Sequence, residues 1–224
     1  MPQPVRRSRY SDRYVYDARL GGGRYRDLET GRLVTWERVR QDLDTRIIQG
    51  AEDRMAALTQ RLQQKQVSLA DWQRGMAQEI KDLHGAAAIA GNGGWHNMTP
   101  ADWGRLGQTV KGQRAYLQGF ALDLESGKYG FPPDGRAVTR ARMYGQAGRA
   151  TAEEAQRRDK ADAGLNEERR ILGKAEHCKT CLEEAAKGWQ PIGTLRPIGD
   201  SECSVNCHCH FEYRSSPAEG ETPT

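Results

Sequence analysis

The sequence predicts a mainly α protein, with an extended helical region, a small C-terminal β/loop knob and a flexible N-terminal arm. Three observations predict this class. Apolar residues recur every three or four positions over most of residues 34–173, which is the spacing of one helix face. All five cysteines lie within residues 178–209. The first 40 residues hold ten arginines against five acidic residues, a balance of +5 in a chain whose net charge is +4.

The composition is lean in apolar residues. Of 224 residues, 37% are hydrophobic and 29% are charged, and the mean hydropathy is −0.84. We therefore expect a shape that is extended or completed by a partner. No apolar run approaches the roughly 20 residues that cross a bilayer, and the basic N terminus has no apolar segment behind it. We expect a protein that stays in the cytosol and has no membrane partner.

Capping and turn residues divide the helical region into successive helices. A first amphipathic helix is predicted from Trp36 to Leu62. Ser68 is the expected cap of a second helix, which ends at the glycine-rich AGNGGWHN. Thr99, followed by proline, is the expected cap of a third. In the alanine-rich, basic residues 136–173, TAEE is predicted to restart a helix as a capping box, and the arginines are interpreted as a solvated helix face.

These patterns divide the chain into four parts. Residues 1–33 form the basic arm, 34–173 the helical region, 174–214 a cysteine-rich zinc-binding knob, and 215–224 a disordered tail. The arm interleaves tyrosines with arginines and has no apolar period before Trp36. We therefore expect the arm to become ordered only on a partner.

The cysteines have the spacing of metal ligands. Cys178 and Cys181 form a CxxC pair, and Cys203, Cys207 and Cys209 follow as CxxxCxC. Two thiolates from each half would make a closed, four-coordinate zinc site of the structural type. The glycine- and proline-rich sequence between the halves has few core residues, so zinc is expected to supply on the order of 10 kcal/mol toward its folding.

Five cysteines compete for four positions around the ion. Cys207 and Cys209 point to the same side of an extended CxC, and the choice between them stays open. His177, His208 and His210 are further competitors in the same segment.

A redox CxxC is the alternative interpretation of the first pair. It requires a strand before the pair and a helix after it in a βαβ unit, whereas the preceding EERRILGKAE is predicted to be helical. A disulfide framework formed after release from the cell is disfavoured by the odd number of cysteines.

No catalytic pattern is present in the sequence. His84 and His96 are isolated and are interpreted as surface or turn residues, and phosphate-binding loops, nucleophile elbows and metalloprotease motifs are missing from the sequence. We expect a protein that is not an enzyme and has no small-molecule substrate.

The segment HCKTCLEEAAKGW followed by PIGTLRPIGDSECSVNCHCHFEY resembles the C-terminal cysteine motif of phage head morphogenesis proteins, the Mu F-like minor head proteins. In that family a CxxC precedes a glycine- and proline-rich stretch and a CxC. The resemblance covers residues 165–213, and YRDLETGRLVT and SLADWQRGM resemble the family's helical region. The sequence departs from the common pattern at Cys203, where many members have a histidine. The family's ligands therefore carry over to Cys178 and Cys181 and are inferred for the other cysteines.

The resemblance implies a structural and assembly protein of a tailed bacteriophage head. Such a protein binds capsid or portal proteins and is located in the virion head, or in the host cytoplasm during assembly. The basic arm would then lie against an acidic capsid or portal surface, or against packaged DNA. The alternative is a zinc-bearing DNA-binding protein that uses the arm and the arginine-rich helix, although base-reading motifs are missing.

Overall fold

The structure is a computed structural model that describes residues 13–16 and 24–216. It is mainly helical, as predicted. The helices, in chain order, are α1 (Trp36–Asp42), a π-helical turn (Leu43–Ile48), α2 (Gln49–Gln63), α3 (Leu69–Gly91), α4 (Pro100–Glu125), α5 (Gly135–Asp162) and the short α6 (Lys179–Ala186). In this part of the chain, no helix is both long enough and apolar enough to span a membrane.

The π-helical turn and helices α2 to α5 bury one continuous core, in which α3 lies between α2, α4 and α5. The predicted stripe of α3 faces this core: Trp72, Met76 and Ile80 are fully buried. The rings of Trp72 and Phe120 pack edge-on, with their centroids 5.2 Å apart. The indole N–H of Trp72 donates to Thr59 Oγ1 at 3.0 Å. The helical body therefore has its own hydrophobic core.

The predicted helix starts at Ser68 and Thr99 are confirmed. The Ser68 hydroxyl accepts the N–H of Asp71 at 3.1 Å, and Thr99 forms a reciprocal capping box with Asp102. The restart predicted at TAEE is wrong, because α5 runs unbroken through Thr151. The Thr151 hydroxyl is hydrogen-bonded to His84 Nδ1 at 2.7 Å, so it makes a tertiary contact rather than a cap.

An antiparallel sheet precedes the helices, in the order β1 (Tyr14–Tyr16), β2 (Tyr25–Asp27) and β3 (Leu33–Val34). Tyr14, Tyr25 and Val39 form its small buried cluster. Strands β1 and β2 and the first residue of β3 lie within the predicted arm, where tyrosines provide apolar surface that an aliphatic period does not reveal. Residues 1–12 and 17–23 of the arm, and residues 217–224 of the predicted tail, lie outside the described residues.

A second antiparallel sheet has the order β5 (Gln190–Pro191), β4 (Glu167–Ile171) and β6 (His210–Arg214). Its central strand β4 lies in EERRILGKAE, so the helix predicted there is wrong. Helix α5 ends at Asp162, and Gly164 follows with φ +87°, a left-handed conformation that ends a helix. The sheet crosses the predicted boundary at residue 173 and joins the knob to the residues before it.

Candidate metal centre

Short elements of the knob bring all five cysteines to one place. Cys178 is the N-cap residue of α6, and Cys181 lies in its first turn. Cys203 and Cys207 flank a single 3₁₀ turn, and Cys209 immediately precedes β6. The two halves of the motif, which lie more than 20 residues apart in the chain, therefore meet as predicted.

Cys181 is the centre of the cluster. Its Sγ lies 3.6 Å from Cys203 Sγ and 3.7 Å from Cys207 Sγ. Thiolates placed tetrahedrally around zinc, with Zn–S bonds of about 2.3 Å, are about 3.8 Å apart. All five cysteines are free of disulfides. Both distances match the separation of two thiolates that bind the same tetrahedral ion.

The ligand atoms form two groups that share Cys181. Cys178, Cys181 and Cys203 form the first, and Cys181, Cys207 and Cys209 the second, and within each group these atoms lie within 4.8 Å of one another. Both Cys207 and Cys209 are buried, so the choice between them as fourth ligand stays open. The cluster could hold a metal ion.

Negative charge is unevenly distributed in the cluster. A hydrogen bond from the Cys209 thiol lowers the pKa of Cys207 to about 4, despite partial burial. The same bond raises the pKa of Cys209, and burial together with neighbouring thiols raises that of Cys203. Burial raises the pKa of Cys178, but hydrogen bonds from the backbone N–H groups of Cys181 and Cys203 outweigh it and lower that pKa overall. Thiolate, the form that binds metal, is thus favoured at Cys178 and Cys207.

Arg170 on β4 supports the cluster from beneath. Its guanidinium donates to Cys181 Sγ at 3.5 Å, to Ser201 Oγ at 3.1 Å, and to the carbonyl of Arg196. The side chain is almost fully buried. Four thiolates around a divalent ion carry a net charge of −2, which a buried cation beside them offsets. Arg170 could not be identified from the sequence, where it falls in a segment predicted to be a solvated helix face.

A buried ion pair holds the loop that carries the second half of the motif. Arg157 on α5 makes a bidentate contact with Glu168 on β4, and it also donates to the carbonyl of Leu195. Glu168 accepts the N–H groups of Gly193 and Leu195, each at 3.2 Å. Glu168 and Arg170 lie on one face of β4, but because both are charged the sequence gives no sign that this face is buried.

The competing histidines lie at the edge of the cluster. His177 Nδ1 is 3.9 Å from Cys209 Sγ. Burial, together with the charge of Arg149, lowers the pKa of His208, and burial with the charge of Arg40 lowers the pKa of His210 to about 4. Within residues 13–16 and 24–216, no histidine joins either cysteine group.

The structure has the strand and the helix that a redox CxxC requires, but it does not have the βαβ unit. A strand, β4, does precede the CxxC, and α6 does follow it. The next strand, β5, pairs antiparallel with β4, so the βαβ unit that this alternative requires is not formed.

Comparison with known proteins gives no relative: no family model, no curated protein and no solved structure matches the chain.

Proposed function

We propose that this chain is a structural and assembly protein of a tailed bacteriophage head, a minor head protein that binds capsid or portal proteins and carries one structural zinc. The observation that carries the proposal is the convergence of five thiols at the junction of the knob and the helical body. The phage head is the assembly that the resemblance of residues 165–213 indicates.

A structural rather than catalytic ion is supported by the chemistry of the ligands. Cys181, Cys207 and Cys209 are at most 2% exposed, and the thiols are numerous enough to fill all four positions of a tetrahedral ion. A catalytic zinc keeps one position open for water or substrate. The ion would therefore stabilise the knob and leave no position for a reaction.

Exposed apolar side chains support binding through the helical body and the knob. Leu122 on α4 is 59% exposed and Leu182 on α6 is 50% exposed. Each side chain lies on a helix whose other face is buried in its own core. They are positions at which a partner surface would be buried.

The pairing of the α5 arginines weakens the DNA-binding alternative. Arg149 contacts Asp44 at 2.9 Å, Arg142 contacts Asp53 at 2.9 Å, and Arg157 contacts Glu168. Guanidinium groups that are paired with carboxylates are less available to phosphates.

The test measures incorporation into heads. Heads are purified from cells infected with the phage that encodes this chain, and the copy number of the chain is measured by mass spectrometry. Three proteins are compared: the wild type, the double variant Leu122→Ser with Leu182→Ser, and the control Gln118→Ser. The control changes an exposed polar residue of α4. We expect a fixed copy number for the wild type and the control, and a reduced number for the double variant. Absence of the wild-type chain from purified heads would overturn the proposal.

A further inference from the structure

A cavity of about 700 Å³ opens between α4, α5 and the loop of residues 197–205. Pockets that take small organic ligands have volumes of roughly 300–1,000 Å³. The buried His84 of α3 contributes to its wall. Ser204 and Val205, which lie between Cys203 and Cys207, form another part of the wall.

Polar groups without partners line this cavity. His84 is 1% exposed, and its Nδ1 is hydrogen-bonded to Thr151. Its Nε2 has no partner among the described residues, and neither has the buried Nε of Arg158. A buried nitrogen without a partner is energetically unfavourable, so a ligand that accepts a hydrogen bond from it would bind more tightly.

A cation in the cavity also lacks a counter-ion. Arg140 is half-buried and stacks over the ring of Tyr144 at 5.8 Å, and it makes no ion pair with any residue in the described part of the chain. Two acidic residues also line the cavity. Glu154 is neutralised by Arg158 at 2.6 Å, and Asp200 is 70% exposed and faces Arg196.

The remaining lining is largely apolar. Met143 and Ala147 line the cavity from α5, and Ile198 and Val205 line it from the loop. The ring of Tyr144 is buried beside them. A ligand held by Arg140 would therefore place its non-polar part against these side chains.

We propose that this cavity binds a small organic carboxylate with an apolar or aromatic body. The carboxylate would pair with Arg140 and accept hydrogen bonds from Arg158 and from His84 Nε2. Charge-assisted bonds of this kind are about twice as strong as neutral ones. When Thr151 donates to Nδ1, the proton of the neutral His84 ring lies on Nε2, and a carboxylate ligand selects this tautomer.

The metal centre controls the cavity wall. Cys203 and Cys207 lie at the two ends of the turn that carries Val205. This turn therefore keeps its position only while both thiols bind the ion. Binding of the carboxylate is therefore expected to require bound metal. The site does not depend on the assembly role proposed above.

The experiment compares two probes of matched shape, 2-naphthoate and the neutral 2-naphthamide, on the full-length, zinc-loaded protein. Amide chemical shifts in a ¹H–¹⁵N spectrum locate the site, and titration gives the affinity. We expect 2-naphthoate to shift the amides of Ala147, Gly199 and Val205, and 2-naphthamide to bind about tenfold more weakly.

Two variants test the role of the cation. Arg140→Gln is expected to weaken 2-naphthoate about tenfold and to leave 2-naphthamide unchanged. The control Arg142→Gln removes an arginine of the same helix that pairs with Asp53 outside the cavity, and it is expected to change neither affinity. Removal of zinc with a chelator is expected to abolish 2-naphthoate binding.

Three results would overturn the proposal. The first is the absence of shifts at the lining residues with millimolar 2-naphthoate. The second is equal affinity for the charged and neutral probes. The third is an equal effect of Arg140→Gln and Arg142→Gln. Thermal unfolding of both variants checks that they are folded, and Arg140 makes no ion pair with a described residue whose loss would unfold the chain.

Discussion

Cys181 is the residue on which the metal centre depends most, because both groups of thiols include it. Replacement of this buried residue by serine removes one thiolate from either possible set of four ligands. We expect Cys181→Ser to lose stoichiometric zinc and to loosen the knob, as measured by elemental analysis and limited proteolysis. The control is His177→Ala, a change beside the cluster that keeps every thiol, and it should retain one zinc per chain. Full zinc content in Cys181→Ser would show that the other four thiols bind the ion without it and would contradict a site centred on Cys181.

His84 is a buried histidine whose charge state makes folding depend on pH. Burial lowers its pKa from 6.5 to about 4, so the unfolded chain binds a proton between these values that the folded chain does not. The stabilisation is complete above pH 6.5 and is lost as the pH falls toward 4. At pH 4.5 the loss from this one group is about 2 to 3 kcal/mol.

The variant His84→Gln isolates this contribution. Its side chain does not titrate, so we expect its free energy of unfolding to fall less than that of the wild type between pH 7 and 4.5, by about 2 kcal/mol. Urea unfolding at each pH measures the difference, and the other titrating groups are common to both proteins. Parallel pH profiles for the two proteins would show that the ring is not buried in its neutral form.

Single residues of this chain could be predicted only where the pattern identified their surroundings. The cysteines were found because metal-ligand spacing is local in sequence. His84 and Arg157 were assigned to the surface, because a lone polar residue on a helix does not reveal the partner that buries it. Their partners, Thr151 and Glu168, lie 67 and 11 residues away.

At the scale of elements, α3 and α5 are in close contact at Gly91. A Cβ placed on Gly91 would collide with the backbone oxygen of Ala152 and with the Cβ of Ala155. Backbone cannot move aside as a flexible side chain can, so we expect Gly91→Ala to lower the free energy of unfolding by about 1–3 kcal/mol. The control is Gly107→Ala on the exposed side of α4, where nothing lies within 4 Å.

Alanine favours a helix over glycine, so the control should be more stable than the wild type by about 0.5–1 kcal/mol. Urea unfolding measures both variants. A neutral effect of Gly91→Ala would mean that α3 and α5 are not in direct backbone contact.

Two consecutive residues of strand β4 carry carboxylates, one fully buried and one half-buried. Glu168 is fully buried in its pair with Arg157, whereas Glu167 pairs with the partly exposed Arg214 at 2.7 Å. We expect Glu168→Gln to destabilise the protein by about 3–5 kcal/mol, since it leaves a buried guanidinium uncompensated. Glu167→Gln should cost less than about 1 kcal/mol. Thermal unfolding compares the two variants, and equal effects would show that the inner pair is solvated.

The same strand shows why some elements could not be predicted. Helices α3 and α4 have caps and apolar stripes that lie within the element, so their starts were found correctly. In β4 the inward residues Glu168 and Arg170 are charged, and alternation of buried and exposed positions is therefore invisible as a hydropathy pattern. Partners from outside the strand, among them Arg157 and Cys181, explain why these charges are buried.

At the scale of the whole molecule, the helical body and the knob have different sources of stability. The large core contains only residues between 43 and 152. The core of the knob contains six buried residues, three of which are cysteines. The two units are joined through α5, where Arg157 lies over the ring of Phe211 at 4.7 Å, and Glu153 accepts the N–H of Phe211 at 3.2 Å.

This division predicts the result of metal removal from the intact protein. A chelator should unfold the knob, because its small core is built around thiols that would have no ion to hold them. Helices α1 to α5 should remain, because their core has no member from the knob. Far-ultraviolet circular dichroism should keep most of its helical intensity, while amides of residues 174–214 should exchange rapidly and those of α3 should stay protected.

Two controls test whether the loss of protection is caused by removal of the ion. Added zinc should restore the protection of the knob, and the chelator should have no further effect on Cys181→Ser, which has already lost its site. If the amides of α3 lost protection together with those of the knob, the two units would unfold as one. The contacts of α5 with Glu168 and Phe211 would then contribute more to the stability of the helical body than its own core does.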